Sequence, residues 1–334
     1  MRVNYFLSTF ILSISVLHTS CPTELSSQNV IDEDVYITTE DTKLFANIRS
    51  NDSLAPVLLY LHGGPGSPLG VPLLKAYAGP QLEEYFIMVY LHQRGIMKSE
   101  RVNDDAHSIS NYIKDIHYVV RYLKARFNDR DIYLLGHSWG GLLSYMYLLN
   151  YKNEVNKFIA VCVPLDAEAM TFGRIDMMLQ WASATNNQQA IDELNALRKK
   201  SVTMLKDEKT SLQKWMSQAY GGWHRNLDMN KVNKVIDYED DIPAWLDEQK
   251  HIEALLIDEI LNIDLTDSIR KLDIPLLCMA GKEDTDVPWY IVKEEFDNYG
   301  GEKTFKLFEN SHHMIFIDEE DLFIESVVKF LRTK

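Results

Sequence analysis

The feature that most constrains this sequence is a serine framed by glycines between two apolar runs. Residues 136–140 read Gly-His-Ser-Trp-Gly, a Gly-x-Ser-x-Gly pattern. The apolar run at 132–135 predicts a short buried strand, and the longer run at 142–149 predicts a buried helix. Small residues on both sides permit a sharp turn that would hold the Ser138 hydroxyl at the end of a sheet, beside a helix N-terminus. A structural glycine turn explains the pattern alone equally well, so its meaning depends on partners elsewhere in the chain.

The rest of the chain alternates between apolar runs and helical patterns. Residues 35–39 and 44–48 predict an antiparallel hairpin at a sheet edge. Continuous apolar runs predict buried parallel strands, and apolar residues spaced three or four apart predict helices. The predicted strands are 56–61, 85–91, 132–135, 157–163, 275–279 and 304–308, and the predicted helices are 111–127, 142–149, 288–296 and 320–332. This alternation predicts an α/β fold with a mostly parallel sheet and helices on both faces.

Residues 165–262 interrupt the alternation. Strand-like runs disappear, and Met, Trp, Gln, Asn and Glu dominate with helix-like apolar spacing. We therefore predict a helical cap at 165–262, inserted into an α/β core formed by residues 33–164 and 263–334. The aromatic side chains of this insertion are expected mainly to fill its own core, with one or two facing the site that it covers.

The first 21 residues differ from the rest of the chain. Arg2 is the only charged residue before an apolar stretch at 5–17, which is too short to span a bilayer comfortably. This pattern predicts a secretory signal peptide, with a buried N-terminal strand or helix as the alternative. Cys21 stands where a bacterial lipoprotein signal places its lipidated cysteine. We therefore expect an exported protein, either periplasmic or anchored to the membrane through lipid on Cys21.

Charge and cysteine usage narrow the classes of partner. The formal net charge of −15 argues against nucleic acid and against an anionic membrane surface. Cys162 and Cys278 lie in predicted strands, where a free thiol behaves as a small apolar group. The pattern of cysteines and histidines does not fit a structural metal site. No cofactor or metal is implied, and the oligomeric state is left open.

An acid and a base follow the later strands. A serine hydroxyl needs a base within hydrogen-bond reach, and that base needs an acceptor that fixes its tautomer. The loop after the strand at 275–279 offers three acids, of which Asp284 is favoured. Asp286 also competes, but its position before Pro288 equally suits a cap of the next helix. Glu283 is the third candidate and equally fits an ordinary surface residue.

Two adjacent histidines, His312 and His313, follow the strand at 304–308. Each of them would otherwise be an exposed loop residue. The order serine, aspartate, histidine, with each residue just after a strand, is the order of the α/β-hydrolases. Because the ends of parallel strands meet at one edge of a sheet, the coincidence is far more specific than the serine motif alone.

Five motifs together resemble the prolyl iminopeptidase (prolyl aminopeptidase) family of α/β-hydrolases. They are His62-Gly63-Gly64-Pro65-Gly66, Gln93-Arg94-Gly95, Gly136-His137-Ser138-Trp139-Gly140-Gly141, Gly281-Lys282-Glu283-Asp284 and Ser311-His312-His313. The resemblance covers most of residues 33–334 and is strong at these motifs. It implies the α/β-hydrolase fold with Ser138 as nucleophile, Asp284 as acid and His313 as base.

The same resemblance and the elbow geometry imply an oxyanion hole. Its donors would be the backbone N–H of Trp139, which follows the nucleophile, and a backbone N–H of the first motif loop, for which we take Gly64. A structural Gly-Pro turn would be the preferred reading of that loop if it stood alone.

The sequence departs from the family pattern in several places. His92 stands where the family usually has Asp before Gln-Arg-Gly, Ile96-Met97-Lys98 replaces small residues, and His312 replaces a glycine. Arg94 is expected to be structural and paired with an acid or with carbonyls. Family members recognise a free N-terminal amine with acids on the cap; the candidates here are Glu168, Asp176, Glu193, Asp228 and Glu239.

The sequence leads to three hypotheses about function. The first is a serine hydrolase, an aminopeptidase that releases N-terminal residues of the proline type from short peptides through an acyl-enzyme. The second keeps the mechanism but acts as an esterase or amidase on another small acyl substrate. The third, a binding protein on an inactive hydrolase scaffold, is disfavoured because the set of serine, aspartate and histidine is complete.

Overall fold

The computed structural model describes residues 30–205, 209–220, 224–236 and 241–333. Within these residues, eight strands form one sheet in the order β1-β2-β4-β3-β5-β6-β7-β8. The strands are β1 Ile31–Thr38, β2 Lys43–Ser50, β3 Val57–Leu61, β4 Ile87–Leu91, β5 Ile132–His137, β6 Lys157–Val161, β7 Leu276–Gly281 and β8 Lys303–Phe308. β1 and β2 run antiparallel to their neighbours and all other pairs are parallel. The predicted α/β fold with a mostly parallel sheet is therefore confirmed.

The central strands form the core of the molecule. Every residue of β3, β4, β5 and β7 is buried, as expected for strands covered on both faces. The edge strand β1 begins at Ile31, four residues before the predicted start. The acids at 32–34 concealed this start, because an edge strand with one free side tolerates charged residues that an interior strand excludes.

In the described part of the chain, a helix follows each strand from β3 onward. The helices outside the insertion are α1 Gly70–Ala76, α2 Gly79–Leu82, α3 Ile109–Arg126, α4 Trp139–Tyr151, α11 Trp289–Asp297, α12 Ile315–Asp318 and α13 Glu320–Arg332. Short 3₁₀ turns lie at Asp104–Ala106, Lys152–Glu154 and Ser268–Lys271. The helices α1, α2 and α12 were not predicted, because segments of seven residues or fewer are too short to show a helical period.

Between β6 and β7, within the segment predicted as a cap, the described residues form six α-helices. They are α5 Ala167–Ala184, α6 Gln188–Leu197, α7 Val202–Leu205, α8 Lys209–Tyr220, α9 Met229–Val232 and α10 Ile242–Ile260. Helices α5, α6 and α8 share a small apolar core of their own, in which Trp215 is buried. The chain leaves and re-enters the core side by side: Leu265 N–H donates to the Leu165 carbonyl at 2.9 Å, and Ala167 N–H donates to the Ile263 carbonyl at 3.0 Å.

The remaining predictions concern the two strand cysteines and the first 21 residues. Cys162 and Cys278 are free and buried, as predicted. Among the described residues, none of the helices has the length and apolar character needed to cross a membrane. The predicted signal peptide at 1–21, with Cys21, lies outside the described residues, so export and lipidation stay predictions.

Candidate active site

Ser138 occupies a sharp turn between β5 and α4. Its φ of +51° lies in the left-handed region, which a serine adopts only where the surrounding structure imposes it. The Ser138 N–H donates to the Val161 carbonyl at 2.8 Å, which fixes the turn to the neighbouring strand. A Cβ at Gly140 would lie 2.1 Å from the Leu61 carbonyl oxygen, so only glycine permits this approach of helix to strand. The side chain therefore stands at the carboxyl end of the sheet.

Asp284 lies in the loop after β7 and is completely buried. Its Oδ1 accepts the backbone N–H of Asp286 at 2.8 Å and that of Val287 at 2.9 Å. This loop packs closely against the loop after β8, because a Cβ at Gly281 would lie 2.1 Å from the His312 carbonyl oxygen. The two backbone donors leave the other carboxylate oxygen, Oδ2, directed at a different partner.

That partner is His313, whose Nδ1 lies 2.7 Å from Asp284 Oδ2. A carboxylate only accepts hydrogen bonds, so Nδ1 carries the proton and Nε2 keeps a free lone pair in the neutral ring. Burial disfavours protonation of His313, but the hydrogen bond and charge of Asp284, together with the charge of Asp286, raise the pKa of the imidazole above 6.5. The ring is thus oriented, and its basicity is increased, as a general base requires.

His312 has different partners. Its backbone N–H donates to Asp318 Oδ2 at 2.9 Å, and its Nδ1 lies 3.2 Å from the same oxygen. Glu283, the third acid of the loop, forms an ion pair with Arg225. Of the acids and histidines weighed from the sequence, the structure therefore joins Asp284 to His313, while His312 and Glu283 are engaged elsewhere.

The serine and the histidine are held side by side through His137, the residue before Ser138. His137 Nε2 lies 3.1 Å from the His313 carbonyl oxygen, and the two imidazole rings are 4.7 Å apart. Burial lowers the pKa of His137 well below 6.5, so the ring is neutral and its Nε2–H donates to that carbonyl. Sequence analysis missed this contact. A polar side chain at the end of an apolar strand was its only sign.

The Ser138 hydroxyl has no hydrogen-bond partner among the described residues. Catalytic hydrogen bonds are often long in a free enzyme and form fully only with substrate bound. Both side chains are largely buried: Ser138 is 8% exposed and His313 is 4% exposed.

The loop that holds one of the predicted oxyanion-hole donors, Gly64, lies beside Ser138. A Cβ at Gly63 would lie 3.3 Å from the Ser138 Cβ, which places the 62–66 loop beside the serine. The Trp139 indole donates to Gln93 Oε1 at 3.1 Å, and Gln93 Nε2 donates to the His62 carbonyl at 2.8 Å. Within the described residues, neither Gly64 N–H nor Trp139 N–H has an acceptor. Both are therefore available to a negatively charged oxygen.

One group of potential metal ligands occurs among the described residues, and it overlaps this site. Ligand atoms of Cys162, Asp284 and His313 lie within 4.8 Å of one another. The nearest pair is already joined by the hydrogen bond between His313 and Asp284, which a cation would have to break. Burial also raises the pKa of the Cys162 thiol well above 9.0, so the sulfur keeps its proton and is a poor ligand. We assign no metal to these residues.

Arg94 is a structural residue, as predicted. It is 1% exposed, and its Nε and Nη2 donate to both oxygens of Asp115 at 2.7 and 2.8 Å. The same guanidinium contacts both oxygens of Asp41 at 3.0 and 3.1 Å and the Ala106 carbonyl at 3.0 Å. The side chain therefore ties β4 to α3 and to the β1–β2 turn and does not reach the reactive groups.

We expect Arg94→Met to lower the free energy of unfolding by about 3–5 kcal/mol, because it leaves the buried Asp115 carboxylate without a partner. Urea denaturation measures this change. The control is Arg270→Met, since Arg270 forms an exposed ion pair with Asp267 at 3.4 Å and its loss should cost about 1 kcal/mol or less. Equal losses in the two variants would contradict the structural role given to Arg94.

The acids proposed for amine recognition are mostly engaged within the insertion. Asp176 binds Arg198, Glu193 binds Lys214 and the Trp215 indole, and Asp228 accepts the Asn230 N–H. Glu168 is exposed in the first turn of α5, and Glu239 lies outside the described residues. Besides Asp284, a second acid of the loop after β7 approaches His313: Asp286 Oδ2 lies 3.9 Å from His313 Nε2.

Comparison with known proteins agrees with the observed fold. A family described as alpha/beta hydrolase fold matches residues 56–320. A Bacillus subtilis protein named probable aminopeptidase YbaC is 26% identical over 316 residues, covering 87% of this chain and 94% of the relative. A proline iminopeptidase of Lactobacillus acidophilus is 25% identical over 284 residues, covering 82% and 89%.

Solved structures show the same fold at lower sequence identity. A proline iminopeptidase of Mycobacterium smegmatis superposes with a TM-score of 0.68 at 15% identity, covering 90% of this chain and 97% of the other. An esterase of Exiguobacterium antarcticum superposes with a TM-score of 0.62 at 19% identity, covering 90% and 100%. Both peptidases and esterases are thus found among the structural relatives.

Proposed function

Because this chain belongs to the alpha/beta hydrolase fold family, we propose that it is a serine hydrolase that releases N-terminal residues, of the proline type, from short peptides. The observation that carries this proposal is the 2.7 Å contact between His313 Nδ1 and Asp284 Oδ2, at the sheet end that also bears Ser138. The similarity to an aminopeptidase and to proline iminopeptidases supports the choice of an amide substrate with a free amine.

In the first half of the proposed reaction, Ser138 Oγ attacks the carbonyl carbon of the N-terminal residue while His313 Nε2 takes the hydroxyl proton. Asp284 holds the resulting imidazolium in place through Nδ1–H. The negative charge that develops on the carbonyl oxygen is stabilised by the N–H groups of Gly64 and Trp139. His313 then gives its proton to the leaving amine, and an ester between the substrate and Ser138 remains.

In the second half, water replaces the leaving peptide. His313 Nε2 takes a proton from the water molecule, whose oxygen attacks the ester carbonyl, and the same two N–H groups stabilise the second oxyanion. Return of the proton to Ser138 Oγ releases the free N-terminal residue. His313 Nε2 accepts and returns every transferred proton, so His313 must be neutral at the start of both halves.

A panel of chromogenic substrates tests the proposal. Proline anilide and other amino-acid anilides report aminopeptidase activity, N-acetylproline anilide reports dependence on the free amine, and short acyl p-nitrophenyl esters report esterase activity. We expect proline anilide to be cleaved, and acetylation of its amine to lower kcat/KM by about 100-fold or more, because a site built for the amine would lose its partner.

The remaining outcomes separate the alternatives. Cleavage of the esters without any amide would replace the aminopeptidase by the esterase, which uses the same residues. Failure to cleave either class by a correctly folded protein would reject the hydrolase assignment and favour a binding protein on this scaffold.

A further inference from the structure

A second carboxylate faces the reactive nitrogen of His313. Asp286 lies two residues after Asp284 in the same loop, and its Oδ2 is 3.9 Å from His313 Nε2, the nitrogen that must take the serine proton. The backbone N–H of Asp286 is already bound to Asp284 Oδ1, which fixes the loop. The Asp286 side chain is 24% exposed, so its charge is only partly screened by solvent.

This carboxylate is held from the insertion. Arg174 of α5 lies 2.9 Å from Asp286 Oδ1 through Nη2, and its Nε donates to the Asp286 carbonyl oxygen. The helix is docked closely at this point: a Cβ at Gly173 would lie 2.2 Å from Ile291 Cδ1, and the Tyr290 hydroxyl donates to the Gly173 carbonyl at 3.1 Å. The position of Arg174 therefore depends on how the first helix of the insertion sits against α11.

Resting on the proposed serine hydrolase function, we propose that Asp286 stabilises the protonated form of His313 during the reaction and that Arg174 limits this effect by holding the Asp286 carboxylate away from Nε2. Neither side chain reacts with substrate in this proposal. Both are positioning residues that act through the base. Because Arg174 belongs to the insertion, the proton affinity of the base is linked to the position of the insertion.

The charges around His313 fit this assignment. Asp284 and Asp286 favour the imidazolium, and Arg174 opposes it. Two further titratable groups lie close to His313: the His137 ring, 4.7 Å away, and the Cys162 thiol, within 4.8 Å. Burial lowers the pKa of His137 and raises the pKa of Cys162, so both groups are neutral. The next charged cluster, which includes Glu283 and Asp318, is engaged with Arg225 and His312.

The test is the pH dependence of kcat/KM, whose acid limb reports the pKa of His313 in the free enzyme. The pKa of His313 is raised, and the base works only when neutral, so the wild-type limb is expected above pH 6.5. Asp286→Asn should move the limb to lower pH and Arg174→Gln should move it to higher pH, each by about 0.5–1 pH unit. Arg174→Lys should restore the wild-type limb.

A matched control and a second readout keep the outcome clear. Arg198→Gln removes an exposed arginine of the same insertion, bound to Asp176, and should leave the limb in place. Titration of the His313 ring by NMR measures the same pKa without turnover. It therefore reports the effects of Asp286 and Arg174 on His313 even if the proposed substrates are not cleaved. Opposite shifts in the two variants support the proposal. Shifts of the same sign, or no shift in either readout, overturn it.

Discussion

Ser138→Ala is expected to lower kcat for the best anilide or ester substrate by about 10⁴- to 10⁶-fold, because no other group in the proposed mechanism forms the acyl-enzyme. Alanine has the same Cβ and the same tolerance of the φ of +51° as serine, so the elbow should keep its shape. Turnover by the purified variant, with its melting temperature measured in parallel, separates loss of chemistry from loss of fold.

Ser144→Ala is the matched control for this experiment. Ser144 lies on α4, six residues after Ser138, is fully buried, and donates to the Gly140 carbonyl at 2.8 Å. Its replacement should cost about 1 kcal/mol of stability through one lost hydrogen bond and leave kcat close to that of the wild type. A Ser138→Ala protein with kcat within tenfold of the wild type would mean that another residue is the nucleophile.

Asp284→Asn is expected to lower kcat by about 10⁴-fold while the fold is kept. The asparagine oxygen can still accept the N–H groups of Asp286 and Val287, so its amide nitrogen must face His313 Nδ1. An amide donor at Nδ1 selects the tautomer with the proton on Nε2, which cannot accept the serine proton. Steady-state kinetics above pH 7 measure the loss.

Glu283→Gln is the neighbouring control for that variant. Glu283 pairs with Arg225 at the surface of the same loop, and its neutral replacement should leave kcat within about threefold, because surface ion pairs contribute little. If Glu283→Gln lost as much activity as Asp284→Asn, a general effect of charge in the loop would explain both results, and the orienting role of Asp284 would be contradicted.

The sequence predicts the sheet well because most of its interior strands consist of uninterrupted apolar residues. The runs at 56–61, 132–135 and 275–279 correspond to β3, β5 and β7, and no end of these strands differs from its prediction by more than two residues. The acidic start of β1 and the short helices α1 and α2 lack such a signal. Local pattern therefore locates long buried elements and misses short or exposed ones.

The candidate site could be predicted from the sequence as far as it depends on strand ends. Ser138, Asp284 and His313 each follow a parallel strand, and the sheet topology carries them to one edge. The choice between Asp284 and Asp286, or between His312 and His313, depends on where side chains point within a loop. Only the structure supplies the 2.7 Å contact that pairs Asp284 with His313.

Two contacts beside the candidate site could not be predicted from the sequence. His137 is 176 residues from His313, and Arg174 is 112 residues from Asp286. The first contact requires β5 to end beside the loop after β8, and the second requires α5 to dock on α11 through Gly173. Neither packing arrangement leaves a periodic or compositional trace in the sequence, which is why acids inside the insertion were considered and Arg174 was not.

Covalent labelling with a fluorophosphonate, followed by intact-mass and peptide analysis, tests the central claim most directly. The reagent reacts with a serine only where a base removes its proton and nearby donors stabilise the negative oxygen that forms on phosphorus. The account predicts one phosphonyl group per chain, on the peptide that contains Ser138, and its absence from Ser138→Ala. A chain that hydrolyses its substrate but remains unlabelled, or carries the label on another residue, would contradict the account.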